Sequence, residues 1–469
     1  MSNGQTIEGL INWVRREDWR AEMEAAFDHH IGAACRSADI DLDELAAIVG
    51  DNAVANLWGC AFEDFVSSGP EGRNAADEYL KRRGWKEPAG TRAYIQALRH
   101  SKMSLYEVSD IVVGESFLAR DLVRGGEPVR VFERSATRSL SPWDRIAARV
   151  VTASGRTQIT GALLAFDHQL AEKALASLDR VRKKARAEAV KLARSLGRQM
   201  DEDEIASMTG VDEVLAGSAF MFSNMWLDDV LRRTLNPTLP KLQNTDGDPL
   251  EFITLHFPLA SKAGPKAVRM ALDGVSSLRK ENDVFWNWVE TRTPAAKPMQ
   301  KATPAQTFGT TMDDGATVLG NVELRGRVLT LSVNSEPRSV RGRALLEPVL
   351  AGLVRAPLTE RQTVEQMMES RRDRGSPAVE ESPLPPDELR SAVHQRMTDH
   401  YRETLDEPIP ALGNRSPRKT AKTAKGRESV IAWLKMLENR TASLGADDPM
   451  ASYDFTWLWQ ELGVEEQRR

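Results

Sequence analysis

A chain of 469 residues is long enough for two to four folded units at roughly 100–200 residues each. Its 41% hydrophobic content supplies material for several cores, and a net charge of −5 excludes any global attraction to nucleic acid or anionic membrane, so such binding would need a local patch. Two cysteines, Cys35 and Cys60, exclude a disulfide scaffold and predict reduced, buried thiols. The N-terminus lacks a basic segment followed by an apolar core, and no apolar run reaches the roughly 18 residues of a membrane span, so the expected compartment is the cytoplasm.

In chain order, residues 1–101 predict helices. Asp18 to Ala34 and Asp43 to Val66 place apolar residues three and four apart, with Asp41-Leu-Asp-Glu as an acidic start and Gly50-Asp51 as a turn. That turn gives Leu42–Asp64 a superficial likeness to a helix-turn-helix. The following helix carries Ala, Leu, Trp, Cys and two acids rather than base-reading side chains, so a plain helical hairpin is expected.

From Met103 the period falls to two. Short runs such as LYEVSDIV, VRVFER, RIAARVV and TQITGALL alternate with Gly-, Pro- and Ser-bearing turns over 102–166, which predicts a small antiparallel sheet or barrel of four or five strands. The helical period returns over 167–245. Its first helix, Ala171–Gly197, carries Arg180, Arg182, Lys183, Lys184, Arg186, Lys191 and Arg194.

Residues 246–355 predict an α+β layer in the order strand, helix, strand, strand, helix: EFITLHF, a helix from Pro265 to about Leu278, ATVLGNVEL and RVLTLSV around Arg325-Gly326, then a helix capped by Asn334 or Ser335. Thr291–Ala305 and 356–389 have the Pro-rich, charged composition of linkers. Residues 390–469 predict a helical module. The fold class expected is thus α+β, a mainly helical multi-domain chain with a small antiparallel β unit and a separate mixed unit.

No phosphate-binding glycine loop, nucleophile elbow, HExxH or calcium loop occurs. His29, His30, Cys35, Cys60, Glu63 and Asp64 lack the short paired spacing that zinc prefers, so no metal or cofactor is expected. Glu107, Asp110, Asp121, Arg124, Glu133, Arg134 and Arg138 form a charged set in the β unit. An enzyme would need Glu107, Asp121 and Glu133 to converge in a pocket; otherwise these charges pair with one another and block strand edges. The expectation leans away from an enzyme. Arg325, Arg327, Arg338, Arg341 and Arg343 are candidate phosphate contacts, as is the basic helix over 173–198, and they carry the alternative of a nucleic-acid-binding protein.

The most legible segment is 408–439. Leu412-Gly413 predicts a turn, Ser416 an N-cap with Pro417 at the first helical position, Gly426 a break, and Val430, Trp433, Leu434 and Leu437 one apolar face. This layout resembles the toxin-binding domain of Xre/MbcA/ParS-type antitoxins over about thirty residues, although Arg418, Lys419 and Thr420 stand where that family has an acid and leucines. More widely, MSLYEVSDIVVGESFLARDLVRGGEPVRV, NTDGDPLEF with FWNW, VLGNVELRGRVLTLSVNS and YDFTWLW resemble a family of uncharacterised bacterial proteins, some bearing a SEC-C zinc motif whose cysteines are missing here.

Tyr453, Phe455, Trp457, Leu458, Trp459 and Leu462 crowd apolar mass into ten residues that must either bury themselves in the chain or dock into a partner. Together these features predict a non-enzymatic interaction or regulatory protein. Its expected protein partner, toxin-like by the antitoxin resemblance, meets Leu412, Gly413, Ser416, Pro417, Arg418, Trp433, Tyr453, Trp457 and Trp459.

Overall fold

The computed structural model describes residues 7–69, 73–195, 201–236, 242–290, 306–312, 314–364, 366–367, 385–445 and 447–468. The chain is α+β and divides into two compact units, Met1–Pro237 with Ser382–Arg469, and Thr238–Glu381.

The first unit opens with helices α1 (Glu8–Val14), α2 (Glu17–Ala38), α3 (Leu42–Val49), α4 (Asp51–Ser67), α5 (Ala75–Arg83) and α6 (Ala89–Arg99). Asp41 and Glu44 form a reciprocal capping box that starts α3, and Gly50, at φ 87°, separates it from α4. Asn74 starts α5 by accepting from the amides of Ala76 and Asp77 at 2.7 and 3.4 Å.

A five-stranded antiparallel sheet follows: β1 (Ser104–Val112), β2 (Ser116–Asp121), β3 (Val129–Phe132), β4 (Arg145–Ala153) and β5 (Arg156–Phe166), in the order β3-β2-β1-β4-β5. Alternation gives it two apolar faces. Helices α7 (His168–Ser195), α8 (Glu202–Thr209), α9 (Val211–Ala216) and α10 (Ala219–Leu235) follow the sheet. Leu105, Ala147, Ala162, Leu164 and Phe166 join the core of α2, α3, α4, α7, α9 and α10. Tyr106, Val108, Phe117, Ala119, Val131, Ile146, Ala148 and Ile159 form a core on the opposite face. The outer strands approach each other: Arg156 of β5 lies over the ring of Phe132 of β3, 5.4 Å from its centre. The sheet is therefore strongly curled.

The C-terminal segment of this unit holds helices Pro386–Thr404, Pro417–Thr420, Ala424–Ala442 and Thr456–Glu461. Met397, Leu405, Leu412, Val430, Trp433, Leu434, Tyr453, Phe455, Leu458, Trp459, Leu462 and Val464 make its core. Gly426 does not break a helix, as its sequence position suggested; it lies inside Ala424–Ala442, whose N-cap Thr423 accepts from the Gly426 amide at 3.0 Å. Glycine is needed for space, because a Cβ there would sit 1.9 Å from the carbonyl oxygen of Thr420.

In the second unit β6 (Leu242–Asn244) pairs in parallel with β10 (Gln306–Phe308). A larger sheet holds β7 (Glu251–Pro258), β8 (Leu278–Asn282), β9 (Phe285–Glu290), β12 (Thr317–Arg325), β13 (Val328–Val333) and β14 (Leu358–Thr363), in the order β14-β7-β13-β12-β9-β8, with β11 (Thr310–Thr311) pairing to β12. The expected helix from Pro265 is α11 (Pro265–Asp273), which stops short of Leu278, and Leu278 instead opens β8. Phe285–Glu290, which contains FWNW, pairs with β12, and Leu358–Thr363 pairs with β7. Helix α12 (Glu336–Val349) is capped by Ser335, which accepts from the Arg338 amide at 3.3 Å. Gly342 lets this helix approach the sheet, since a Cβ there would meet Leu331 at 2.6 Å and Trp288 at 3.1 Å. The expected linker Thr291–Ala305 lies outside the described residues, as does most of 365–384.

Candidate functional site

Within the first unit, helix Ala424–Ala442 lies against the turn that leads into β4. Asn439 donates from its side chain to the Pro142 carbonyl at 2.9 Å and to Asp144 at 2.7 Å. Lys435 pairs with Glu107 of β1 and lies 4.3 Å from the centre of the Trp143 ring. The indole N–H groups of Trp143 and Trp459 donate to the two oxygens of Glu438 at 2.5 and 2.8 Å, and Arg468 approaches the same carboxylate at 2.9 Å. Glu438 is almost wholly buried, so these charge-assisted bonds offset its desolvation. Trp143 has φ 70°, a left-handed conformation that costs a bulky residue about 1–3 kcal/mol and persists only where its surroundings hold it.

Beside this seam opens a cleft of about 1190 Å3. Its floor is apolar: Ile111 and Leu118 from the sheet, Trp143 from the turn, Tyr453 and Phe455 from the tail. Its rim is acidic, with Asp110, Asp454, Glu465 and Glu466 exposed and Arg468 the lining cation. Asp110 pairs with Arg130, and Asp454 accepts from Thr456 at 2.9 Å. An apolar floor inside a carboxylate rim suits a ligand that carries both apolar and basic groups.

The nine candidate partner contacts separate. Leu412, Ser416, Pro417, Trp433, Tyr453 and Trp459 are buried in the segment's own core, with Trp459 at 0% exposure. Gly413 is exposed at φ 65°. Arg418 bridges Asp406 at 3.3 Å and Glu461 at 2.6 Å, and Trp457 is half-buried with its N–H donating to the Tyr453 hydroxyl at 2.9 Å. The cleft residues Trp143, Glu438, Glu465, Glu466 and Arg468 were not singled out from sequence. Trp143 and Glu438 lie 295 positions apart and have no local signature.

The β-unit carboxylates do not share a site. Glu107 meets Lys435, Asp121 accepts from the Val123 and Arg124 amides at 2.9 and 2.8 Å, and Glu133 accepts from Ser135. Of the arginines over 325–343, Arg338 is buried and bonds Asp246 at 2.9 Å and Thr245 at 2.6 Å. Arg327 donates to the Ala260 carbonyl at 2.8 Å, while Arg325, Arg341 and Arg343 pair with Glu323, Glu290 and Glu347. The basic face of α7 is exposed, with Lys183 on Asp179 and Arg186 on Glu202, each at 2.7 Å.

The cluster around His30 forms a buried polar array. Ser223 Oγ lies 2.8 Å from His30 Nδ1, His30 Nε2 lies 3.3 Å from Asp64, and Asp64 accepts from Arg149 at 2.7 Å. The order serine, histidine, carboxylate matches that of hydrolases. Ser223 has no exposed surface, however, so no substrate reaches it, and the array instead ties α2, α4, β4 and α10 together. Beside it Glu63 accepts from the Ala162 amide at 3.1 Å, and burial pushes its carboxyl up to about 7. Both cysteines are buried and free. Among the described residues, no group of three or more His, Cys, Asp or Glu side chains is placed to hold a metal ion, and no helix is long and apolar enough to cross a membrane.

The structure thus defines an α+β protein whose first unit carries an acid-rimmed cleft between its curled sheet and its C-terminal helices. A family of unknown function, DUF7986, has a model that matches residues 62–195, the stretch from within α4 through the sheet to the end of α7. No curated protein matches the chain.

Proposed function

We propose that this is a non-enzymatic interaction protein that binds another protein through its C-terminal segment, at the cleft that segment shares with β1 and β2. The observation that carries this reading is the cleft itself: about 1190 Å3, floored by aromatic side chains and rimmed by carboxylates. Aromatic anchors inside a polar rim are the common anatomy of protein-binding surfaces. The rim charge favours a partner that presents Lys or Arg. The resemblance of 408–439 to antitoxin toxin-binding domains makes a toxin-like protein the expected class.

Cutting away the C-terminal segment would expose the seam with the sheet and so test folding as much as binding. Surface changes at the rim are cleaner. A tagged full-length chain should retain a partner from nuclease-treated bacterial lysate, and Glu465→Lys with Glu466→Lys should lose it while keeping the thermal transition. Equal retention by both chains, or retention abolished by nuclease, would contradict the proposal.

A further inference from the structure

Several arginines of the curled sheet and its loops are paired: Arg124, Arg130, Arg145 and Arg149 hold Asp121, Asp110, Glu172 and Asp64 respectively. Arg134, Arg138 and Arg156 hold none among the described residues, and all three are exposed. These three line one pocket of about 650 Å3 at the end of the sheet, together with Phe132, Glu115 and the turn glycines Gly114 and Gly155.

The pocket's frame is fixed. Thr137, buried at 1% exposure, accepts from the Gly114 amide and donates to the Arg134 carbonyl, each at 2.9 Å, and so pins the β1–β2 turn to the loop that carries Arg134 and Arg138. Arg156, the first residue of β5, lies over Phe132, 5.4 Å from its ring centre. Glu133, the nearest acid in sequence to Arg134, is occupied by the Ser135 amide at 2.8 Å and the Ser135 hydroxyl at 2.5 Å. Glu115 is then the one carboxylate that lines the pocket against three guanidinium groups.

Three like charges around one cavity repel one another unless an anion sits among them. Guanidinium forks match phosphate oxygens in geometry as well as charge. We infer that this pocket binds a small phosphorylated ligand of nucleotide size, with its phosphate on Arg134, Arg138 and Arg156 and its planar body against Phe132. Pockets of roughly 300–1,000 Å3 hold ligands of that size. This site is separate from the acid-rimmed cleft and does not depend on the function proposed there.

The test is calorimetric titration of the full-length protein at low salt with inorganic phosphate and with adenosine monophosphate as probes. The nucleotide should bind saturably, phosphate should compete with it, and added salt should weaken both. Arg134→Ala with Arg138→Ala should weaken both by about tenfold or more, at an unchanged melting temperature, while R134K with R138K recovers part of the loss. Phe132→Ala should weaken the nucleotide and leave phosphate unchanged. No saturable binding of either probe, binding unaffected by the double alanine variant, or retention of polynucleotide without either small probe would each overturn the inference.

Discussion

Trp143 and Trp459 donate their indole N–H groups to opposite oxygens of one carboxylate, Glu438, from a turn before β4 and from the chain's last α-helix. That shared acceptor, with Lys435 on Glu107 and Asn439 on Asp144, makes the C-terminal segment part of the first unit. The cleft is a consequence of the seam, since Trp143 and Glu438 line it.

Glu438→Ala strands two buried donors and leaves Arg468 without its carboxylate, which should cost roughly 2–4 kcal/mol. Urea unfolding of the full chain measures it. Glu461→Ala removes only an exposed partner of Arg418 and should cost at most about 1 kcal/mol. Equal losses would mean that the Glu438 bonds add nothing to the seam.

Gly426→Ala places a Cβ 1.9 Å from a backbone oxygen that cannot swing away. The turn around Thr420 must shift, and a loss of about 1–3 kcal/mol is expected from such overpacking. Gly445 has open space and no left-handed φ, so Gly445→Ala should be nearly neutral. Thermal melts of the pair give the comparison, and indistinguishable transitions would refute the steric account.

Glu63 sets a pH dependence. Burial raises its carboxyl to about 7 from the ordinary 4.5, against the opposing Thr160 hydrogen bond and Arg149 charge. Between those values the folded state holds a proton that the unfolded chain has released, so this contribution to stability falls as pH rises through the window. Above about pH 7 the folded protein carries the cost of a buried charge, roughly 3 kcal/mol at 1.36 per pH unit. Glu63→Gln keeps an acceptor for the Ala162 amide and removes the titration. Its stability should therefore gain on the native chain from pH 5 to pH 8, and parallel profiles in urea would exclude the effect.

The thiols give a further check. Burial raises both Cys35 and Cys60, with Asp28 adding to the first and Glu63 to the second. Fewer thiolates and no access predict slow reaction of the native protein with an aromatic disulfide at pH 8, and rapid reaction of both thiols in denaturant. Fast modification of the native chain would contradict the packing around them.

Much of the fold was legible wherever a period was clean. The alternation in LYEVSDIV and RIAARVV pointed to β1 and β4, and the pair Asn334 and Ser335 marked the start of α12, where the structure has Ser335 as the cap. Leu358–Thr363 was not legible, because it is a polar edge strand with no buried face to impose alternation. The short Leu278–Asn282 strand was absorbed into the helical pattern before it. Gly426 misled because sequence shows what glycine permits but not which backbone approaches it. In the aromatic tail, the need for burial was plain from composition, but the positions at which it meets the sheet depend on Trp143, far away in the chain.

Photo-crosslinking shows directly whether a protein partner occupies the acid-rimmed cleft. A benzophenone side chain is placed at Ile111 on the sheet wall and, separately, at Glu466 on the tail wall, with exposed Glu24 of α2 in the same unit as the control position, in the full chain exposed to nuclease-treated lysate. A partner seated in the cleft gives one shared protein adduct from Ile111 and Glu466 and none from Glu24. Adducts that differ between the two walls, or a retained protein that crosslinks at neither, would contradict that occupancy.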